Sequence, residues 1–389
     1  MATLTARAKG SVDDQGDFAG ERLDCDGHLY MEPDVMAEIV GDAGSSWIIE
    51  YLRKYAGSEA DLAARERART ETWSVKGFSA LGSYDPEDRV DALDKMGVAR
   101  QLLFPNTVLR ELRTHTPAAL EACRRYNDYV IDWTERARDR ARAVCQLNMS
   151  NVDSALTELQ RVVDKGARGV LLPCAEPPAG TSPASPVWDA FWRLLEESET
   201  PAFLHIGAGG LASADEDDPM LPARAWADAP ALRAIFPDQP GAEERLGPFF
   251  IVVAHLAAEV YLTCMLMGGV FERFPRLRFG VIEFGASWLG PLCERLDRHA
   301  ALLQKVGVQY PRLPSEYVRR NVRVTPQWTE PVDVLVERYG IREAYVFSTD
   351  YPHVEGGRNP VQRFSGMTAR VGQGYSREFF VDNGRLLFP

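Results

Sequence analysis

Short apolar runs alternate along this chain with longer segments whose apolar residues recur at helical spacing. Runs of four to six residues that are rich in branched and aromatic side chains are typical of buried strands. Eight of them occur, at 23–27, 100–104, 143–147, 168–172, 202–205, 278–283, 322–325 and 344–348. Because strands that alternate with helices form parallel sheets, eight of them at this chain length predict an α/β fold, a (β/α)8 TIM barrel.

The segments between these runs carry start and stop signals for helices. Asp85-Pro86-Glu87-Asp88 places a capping residue before a proline and two acids, and Gly97 follows where such a helix ends. Thr116-Pro117 and Asn151 predict the starts of the next two helices. No Gly-x-Gly-x-x-Gly turn follows an early strand, so the sequence gives no sign of the dinucleotide site of a doubly wound sheet.

Two connections are longer than a barrel loop requires. Residues 29–84 follow the first predicted strand, and residues 206–248 follow the fifth. Loops that follow strands lie on the catalytic face of a barrel, so we expect both insertions to wall or cover the active site. Residues 1–20 are polar and are expected to form a disordered tail, which leaves 21–389 as a single barrel domain.

Charge and cysteine usage narrow the class of protein. The formal net charge of −12 argues against a nucleic-acid partner, whose phosphates would be repelled. The six cysteines form no Cys-x-x-Cys pair, which favours buried reduced thiols over disulfides or a cysteine-ligated zinc. The first twenty residues contain no apolar run of the kind found in a signal sequence, and no stretch is expected to span a membrane. The sequence therefore predicts a cytoplasmic protein with no membrane or nucleic-acid partner.

Histidine and aspartate stand at the ends of several predicted strands. Asp26 and His28 follow the first strand, His205 ends the fifth, and Asp350 follows the eighth. Strand ends converge on one face of a parallel barrel, and a spacing of two puts Asp26 and His28 on the same side of an extended segment. Such a nitrogen and oxygen set suits one divalent ion per chain, Zn2+ or also Mn2+, with an open position for water. Any single histidine is more often a hydrogen-bonded structural residue than a ligand, so the prediction rests on the joint pattern.

In this context the chain resembles a known family, the amidohydrolase superfamily, in the branch that includes aminocarboxymuconate semialdehyde decarboxylase and resorcylate decarboxylase. The resemblance runs from about residue 22 to the C-terminus. Its motifs appear in order as DCDGH at 24–28, RVDALDKMGV at 89–98, PAFLH at 201–205, GVFERFPRLR at 269–278, STDYPH at 348–353 and DNGRLLF at 382–388.

The resemblance assigns roles to individual residues. It implies that Asp26, His28 and His205 are metal ligands and that Asp350 contacts the metal and passes a proton. Two departures stand out. The first ligand is usually His or Glu in this branch, and the catalytic histidine of the sixth strand is replaced by Glu283. His255, upstream, is the candidate to take that histidine's place, and Glu283 is either an acid–base residue or an anchor for a neighbour.

Substrate contacts are less defined by the sequence. His353 is expected to touch substrate or to orient Asp350, and Arg358 and Arg89 are candidate partners for a substrate carboxylate. Trp73 is one of several tryptophans that can stack on a ring. The substrate implied by the resemblance is small, cyclic or aromatic, and carboxylated.

Three functions remain open, and the sequence favours the first. Hydrolysis by a metal-activated water, with Asp350, His255 and Glu283 moving protons, is preferred because the strand-six histidine is missing. Non-oxidative decarboxylation of an aromatic or muconate-like acid is the alternative, and a catalytically inactive ligand-binding barrel is the third. A homodimer or higher homo-oligomer is expected from the family and from the frequency of symmetric oligomers.

Overall fold

The strands of the chain form one closed ring. The computed structural model describes residues 18, 20–41, 47–105, 114–207, 226, 228–232 and 248–389. Within them the strands are β1 Arg22–Asp24, β2 His28–Leu29, β3 Val98–Pro105, β4 Ala141–Ala143, β5 Cys145–Gln146, β6 Val170–Leu171, β7 Ala202–His205, β8 Phe279–Ile282 and β9 Val322–Val324. Every pairing between them is parallel.

The ring has eight strand positions, as the alternation of runs predicts. β1 and β2 share one position and both pair with β3, while β4 and β5 share another, between β3 and β6. The predicted eighth strand, 344–348, has irregular backbone, yet it closes the barrel. Val346 N donates to Val324 O at 3.2 Å, and Cys25 N donates to Phe347 O at 3.0 Å, so this segment bonds to β9 on one side and β1 on the other. The fold class is therefore confirmed.

The helices surround the ring and begin where their capping residues predict. Asp85 accepts from the backbone of Glu87 and Asp88, and Asn151 accepts from Ser154 N. The described α-helices are Pro33–Val40, Trp47–Tyr55, Glu59–Ala68, Pro86–Met96, Pro117–Arg136, Val152–Asp164, Asp189–Glu197, Pro248–Val253, His255–Met267, Val270–Arg273, Leu289–Gln304, Pro314–Asn321, Val332–Tyr339, Pro360–Val371 and Tyr375–Arg377. Short 3₁₀ segments, such as Val354–Gly356, and one π turn, Glu378–Asp382, complete the connections.

The two insertions and the tail differ in how much of them the structure describes. Residues 29–84 contain three of the helices and a 3₁₀ turn at Gly77–Ser79. Most of 206–248, including the acidic run 215–218, lies outside the described residues, as do residues 1–17 and 19 of the expected tail. Phe18 packs against the protein: it is 5% exposed, and its ring lies 5.8 Å from that of Phe380.

One expectation about membranes needs correction. The segment Pro248–Met267 has 20 residues and a mean hydropathy of 2.0, so by length and composition it can cross a membrane. The core helices of globular proteins pass the same test, and 39% of its most apolar window is buried inside the protein. Val252 and Val260 are its most exposed apolar side chains within the described residues.

The inside of the barrel is filled by its own side chains and forms the floor of the site above it. Phe203 is fully buried there, and its ring lies 5.2 Å from that of Phe104. The room for Phe203 comes from Gly169 and Gly280 on the neighbouring strands, since a Cβ at either would lie about 2.5 Å from the Phe203 ring. Phe104 in turn packs against His205 at 4.7 Å. The carboxyl ends of the strands thus stand on an aromatic layer.

Candidate metal centre

Side chains from four positions of the ring converge above this layer. Potential ligand atoms of Asp26, His28, His205 and Glu283 all lie within 4.8 Å of one another. A second set, His28, Glu283, Asp350 and His353, meets the same limit. The first three residues are nearly or fully buried, and the two sets overlap at His28 and Glu283. These residues are separated by up to 327 positions in sequence, so the closed barrel alone brings them together.

Asp26 stands at the middle of the first set. Its Oδ1 lies 3.3 Å from Nε2 of His28 and 3.3 Å from Nε2 of His205. Although burial raises the pKa of this carboxyl, the closeness of the two imidazoles, His205 above all and then His28, brings it below its ordinary value. Asp26 is therefore a carboxylate with an imidazole nitrogen on each side, which is the arrangement of a mixed nitrogen and oxygen metal site.

The orientation of His205 is fixed by a backbone carbonyl. Its Nδ1 lies 2.8 Å from Ile206 O, so that nitrogen donates and carries the ring proton. Nε2 is then the lone-pair nitrogen, and it lies 3.3 Å from Asp26 Oδ1 and 3.4 Å from Glu283 Oε2. A histidine held in one tautomer by its outer nitrogen is the form in which imidazole binds metal.

The two carboxylates that follow β8 and the eighth strand position sit on strained backbone. Glu283 has φ +66° and Asp350 has φ +51°, in the left-handed region that residues other than glycine rarely adopt. Each such conformation costs on the order of 1 kcal/mol and persists only where surrounding contacts enforce it. Thr325 Oγ1 accepts from Glu283 N at 2.7 Å, and Asp26 O accepts from Asp350 N at 3.0 Å. Both turns direct their carboxylates to the barrel mouth.

His353 contacts both Asp350 and His28, and so holds Asp350 beside the first strand position. Its Nδ1 lies 2.9 Å from Asp350 Oδ1, and its ring stacks on that of His28 with centroids 3.8 Å apart. Burial and the neighbouring charge of His28 lower the pKa of His353 to about 4, so the ring is neutral at physiological pH. Asp350 is held ionised in spite of its burial, because His353 and His28 lower its pKa. Of the two roles expected for His353, its geometry matches the orientation of Asp350.

The cluster contains polar atoms that its own residues do not satisfy. Nδ1 and Nε2 of His28 and Oδ1 of Asp350 are buried without a hydrogen-bond partner. Burial lowers the pKa of His28, but Asp26 and Asp350 outweigh it and raise that pKa to about 10. Carboxylates that hold a proton this firmly on a buried imidazole mark a position that favours positive charge. The donor set and these unsatisfied atoms fit a single divalent cation.

A buried network beneath the ligands holds β1 to the loop that carries Asp350. The Asp24 carboxylate accepts from Gln101 Nε2 at 2.7 Å, from Thr349 N at 2.8 Å, from Thr349 Oγ1 at 2.6 Å and from Asp26 N at 3.2 Å. Burial raises the pKa of Asp24 to about 7 although these donors lower it. The four hydrogen bonds fix the backbone on which two of the candidate ligands, Asp26 and Asp350, stand.

Arg89 belongs to this network, and its guanidinium donors bond to buried groups of the protein. It donates to Gln101 Oε1 at 2.8 Å, to Gly82 O at 2.9 Å and to His28 O. The side chain is fully buried, so the expectation that Arg89 binds a substrate carboxylate is replaced by a structural role. Gly27 leaves the space for Gln101, since a Cβ there would lie 2.3 Å from its amide carbon.

A cavity opens beside the cluster and leads to solvent. Its lining combines four acids with polar groups and with the apolar side chains of Ile206, Ile251 and Trp328. The described lining residues are Asp26, Ile206, Ile251, Glu283, Thr325, Pro326, Gln327, Trp328, Thr329, Ser348, Thr349, Asp350, Glu355 and Gly356. Glu330 binds the loops after β8 and β9 together by accepting from Ala286 N, Ser287 N and Gln327 N, each at 2.8 Å. The lining suits a flat ring with polar substituents.

Three of the predicted site residues lie outside this cluster. His255 starts the helix His255–Met267, with its Nδ1 3.0 Å from Val252 O and its Nε2 3.9 Å from Glu259. It is absent from the described cavity lining, as are Trp73 and Arg358, and the Arg358 side chain is exposed. The local hydrogen bond gives His255 a structural partner, so its proposed acid–base role receives no support from its contacts.

Several residues of the site were not selected from the sequence. Asp24, Gln101, Thr349 and Trp328 are among them. Gln101 carries a visible signal, because a polar side chain interrupts the apolar strand β3 and is fully buried there. Trp328 has no such signal, since its place at the cavity follows only from the path of the loop after β9.

Comparison with known proteins adds a family and several relatives. The amidohydrolase family model matches residues 24–388. Gamma-resorcylate decarboxylase from Rhizobium radiobacter is 24% identical over 314 residues, which cover 77% of this chain and 88% of the relative.

Two solved structures share the fold. An amidohydrolase from Mycobacterium avium subsp. paratuberculosis K-10 superposes with a TM-score of 0.69 at 20% identity, covering 94% of this chain and 99% of the other. A 5-carboxyvanillate decarboxylase from Novosphingobium aromaticivorans, complexed with manganese and 4-hydroxy-3-methoxy-5-nitrobenzoic acid, gives 0.62 at 17% identity, with 98% and 99% covered. At these identities the structures establish the barrel fold.

Proposed function

The chain belongs to the amidohydrolase family, and from this premise we propose that it is a metal-dependent decarboxylase of a hydroxylated aromatic acid. The observation that carries the proposal is the buried convergence of Asp26, His28, His205, Glu283 and Asp350 beside a cavity with Ile206, Ile251 and Trp328 in its walls. The relative from Rhizobium radiobacter, matched over 88% of its length, is a decarboxylase of such an acid. The 5-carboxyvanillate enzyme of the same fold is also a decarboxylase, so we propose this reaction in place of the hydrolysis that the sequence favours.

We assign the metal to Asp26, His28, His205 and Asp350. The sequence favours zinc, but we propose manganese, because the site is rich in hard carboxylate oxygens and a structure of the same fold holds manganese. These residues would hold a divalent ion, which would supply Lewis-acid polarisation of the acid group of the substrate. The remaining chemistry is the transfer of one proton to carbon.

Glu283 is the residue we propose for that proton transfer. Both Glu283 and Asp26 line the cavity, but the side chain of Glu283 is 13% exposed whereas that of Asp26 is 1% exposed. A carboxyl group that reaches both the substrate and water can lose a proton and regain it from solvent. Glu283 protonates the ring carbon that bears the carboxylate, the bond to the carboxylate breaks, its electron pair returns to the ring, and CO2 leaves.

Trp328 and the two isoleucines are proposed to hold the substrate ring. Trp328 is 36% exposed and stands in the cavity wall, where Arg363 lies 5.2 Å from its ring and Gly357 packs against it. A fixed aromatic wall adds apolar contact and a face on which another ring can stack.

The expectations of a cytoplasmic location and of a homodimer stay predictions.

A panel of paired substrates tests the reaction. The manganese-loaded protein is incubated with hydroxybenzoic acids and, separately, with their methyl esters and amides, and CO2 and ring products are measured. We expect CO2 and the matching phenol from at least one acid, with the esters and amides unchanged. Cleavage of an ester or amide without CO2 would establish the hydrolase instead. Binding of the acids without any product would favour the inactive barrel.

Glu283→Gln separates proton transfer from metal binding. We expect this variant to keep its metal and to lose about 100-fold or more in turnover, the usual contribution of a general acid. Glu294→Gln, on an exposed helix position with 54% side-chain exposure, is the matched control and is expected to behave as wild type. Loss of metal from Glu283→Gln would show that Glu283 is a ligand and would overturn the assignment.

A further inference from the structure

One carboxylate connects the loop after β8 to the loop after β9. The Glu330 side chain accepts from the backbone amides of Ala286, Ser287 and Gln327, each at 2.8 Å. Ala286 and Ser287 follow β8, whereas Gln327 follows β9. Because hydrogen bonds to a charged acceptor are strong, three of them on one carboxylate hold the two loops at a fixed separation. Glu330 is absent from the described cavity lining, so it acts on a ligand there through these loops.

The loop after β8 carries Glu283, the proposed proton donor, on left-handed backbone. Gly285 lies between Glu283 and the two amides, has φ +69°, and leaves room for the carboxylate, since a Cβ there would lie 3.1 Å from Glu330 Oε2. Trp288 Nε1 donates to Gly285 O at 2.9 Å, and Thr325 Oγ1 holds Glu283 N at the start of the loop. A strained turn persists only where its surroundings enforce it. The bonds to Glu330 are therefore part of what keeps Glu283 at the cavity.

The loop after β9 carries the aromatic wall. Gln327 N donates to Glu330 Oε2, and Glu330 N donates to Gln327 O at 2.9 Å. These two residues thus close a turn with Trp328 and Thr329 at its tip, and both of those line the cavity. The same carboxylate therefore fixes the proposed acid on one loop relative to the proposed ring wall on the other.

This separation matters for the transfer of a proton to carbon. A general acid must lie within reach of the atom that it protonates, and a misplacement of about 1 Å caused by a distant change can cost about 100-fold in rate. The wall sets where the ring lies, and the loop after β8 sets where the carboxyl group of Glu283 lies. Asp26 and His205 stand on other strand positions, so loosening these two loops leaves those candidate metal ligands in place.

We propose that Glu330 is a positioning residue for the decarboxylation, holding the carboxyl group of Glu283 at the ring carbon that receives its proton. Glu330 itself exchanges no proton and touches no substrate. Because Glu283 is the proposed proton donor, this role rests on the proposed function and deepens it.

A double-mutant cycle distinguishes positioning from general support of the fold. Release of CO2 from the hydroxybenzoic acid that the wild type consumes is measured for the manganese-loaded wild type, Glu330→Gln, Glu283→Gln and the double variant. The KM, metal content and melting temperature of each are recorded. Glu330→Gln keeps the size of the side chain but turns N–H donors toward at least one of the three backbone amides. Glu330→Asp, which is one methylene shorter, replaces it if it does not fold.

Glu196→Gln is the matched control for the loss of a carboxylate that bonds to distant backbone. Glu196 accepts from Arg276 N at 2.7 Å, and Arg276 precedes β8, at the opposite end of that strand from Glu283. Its bond thus resembles those of Glu330 but lies away from the cavity. Glu196→Gln is expected to turn over substrate as wild type does.

We expect Glu330→Gln to lower turnover about tenfold, with KM and metal content within about twofold of wild type. In the Glu283→Gln background the same change should cost less than about twofold, because the group that Glu330 positions is already gone. An unchanged turnover, an equal loss in both backgrounds, or a loss of metal would overturn the role of Glu330 alone. A wild type that releases no CO2 from any of the acids would overturn the proposed function and this inference with it.

Discussion

Replacing Gln101 by leucine is expected to weaken the protein and its metal site together. Gln101 is fully buried between two charged groups, accepting from Arg89 at 2.8 Å and donating to Asp24 at 2.7 Å. Leucine has nearly the same volume, so the change removes both hydrogen bonds without opening a large cavity. Asp24 and Arg89 each keep their other partners but lose one bond inside the protein.

The size of the effect follows from these two bonds. A buried polar group that loses a partner costs about 1–3 kcal/mol, so the two losses together cost about 2–6 kcal/mol. An unfolding entropy of about 2.1 cal/mol/K per residue over 389 residues converts this into a fall of about 2–7 °C in melting temperature. Since Asp24 holds Asp26 N and Arg89 holds His28 O, metal affinity should fall by about 10- to 100-fold.

Thermal unfolding followed by circular dichroism measures the first effect, and competition with a chelator measures the second. Gln160→Leu is the matched control, because Gln160 is exposed on a surface helix and bonds only to Asp164 in the described residues. The control should shift the melting temperature by less than about 1 °C. If Gln101→Leu matched this control in both assays, the network would not support the metal ligands and the reasoning would be refuted.

Two further predictions follow from individual contacts. His255→Ala should keep at least about half of the turnover and all of the metal, because His255 bonds to Val252 O and lies outside the cluster. A variant that keeps its metal but loses its turnover would restore the acid–base role of His255. Burial lowers the pKa of Lys76 to about 8 when folded, against about 10.5 when unfolded, so between these values the unfolded chain binds more protons and stability should rise with pH. Urea unfolding of the metal-free protein at pH 7.5 and 9.5 should show this rise in wild type and a smaller one in Lys76→Met, and equal rises would contradict the burial of the charge.

The sequence predicts the barrel and the meeting of its candidate metal ligands for one physical reason. Parallel strands in a closed ring all end on the same face, so residues at strand ends are neighbours whatever their separation along the chain. Asp26, His28, His205 and Asp350 could therefore be placed near one another from strand positions alone. Helix starts at Asp85, Thr116 and Asn151 were also predictable, because capping depends on a few adjacent residues.

Contacts that depend on side-chain direction or on loop paths were not predictable. Glu283 reaches the cluster because its backbone is left-handed, which nothing in the surrounding residues indicates. The partners Asp24 and Thr349 are 325 positions apart, and Arg89 was interpreted as a possible substrate ligand because the sequence shows its charge but not its buried acceptors. The chain also breaks its helix at Gly268-Gly269, where Gly269 has φ +70°, so that His255–Met267 and Val270–Arg273 are separate helices.

The choice between hydrolysis and decarboxylation also depends on a side-chain position that the sequence does not show. The missing histidine of the sixth strand favoured hydrolysis, since it removed a group that the decarboxylases of this branch carry. The structure places a carboxylate, Glu283, at the cavity beside His205 instead, with Oε2 3.4 Å from its Nε2. A protonated carboxyl group can also deliver a proton to carbon, so the substitution changes the acid without excluding the reaction.

Metal content per chain tests the metal centre most directly. Wild type, Asp26→Ala and the control Asp34→Ala, whose side chain is 89% exposed, are reconstituted with manganese, freed of excess ion and analysed for elements. We expect about one manganese per chain in wild type and in Asp34→Ala, and almost none in Asp26→Ala, which loses the carboxylate between His28 and His205. A wild type that holds no metal after reconstitution, or an Asp26→Ala variant that retains it, would contradict the metal centre described here.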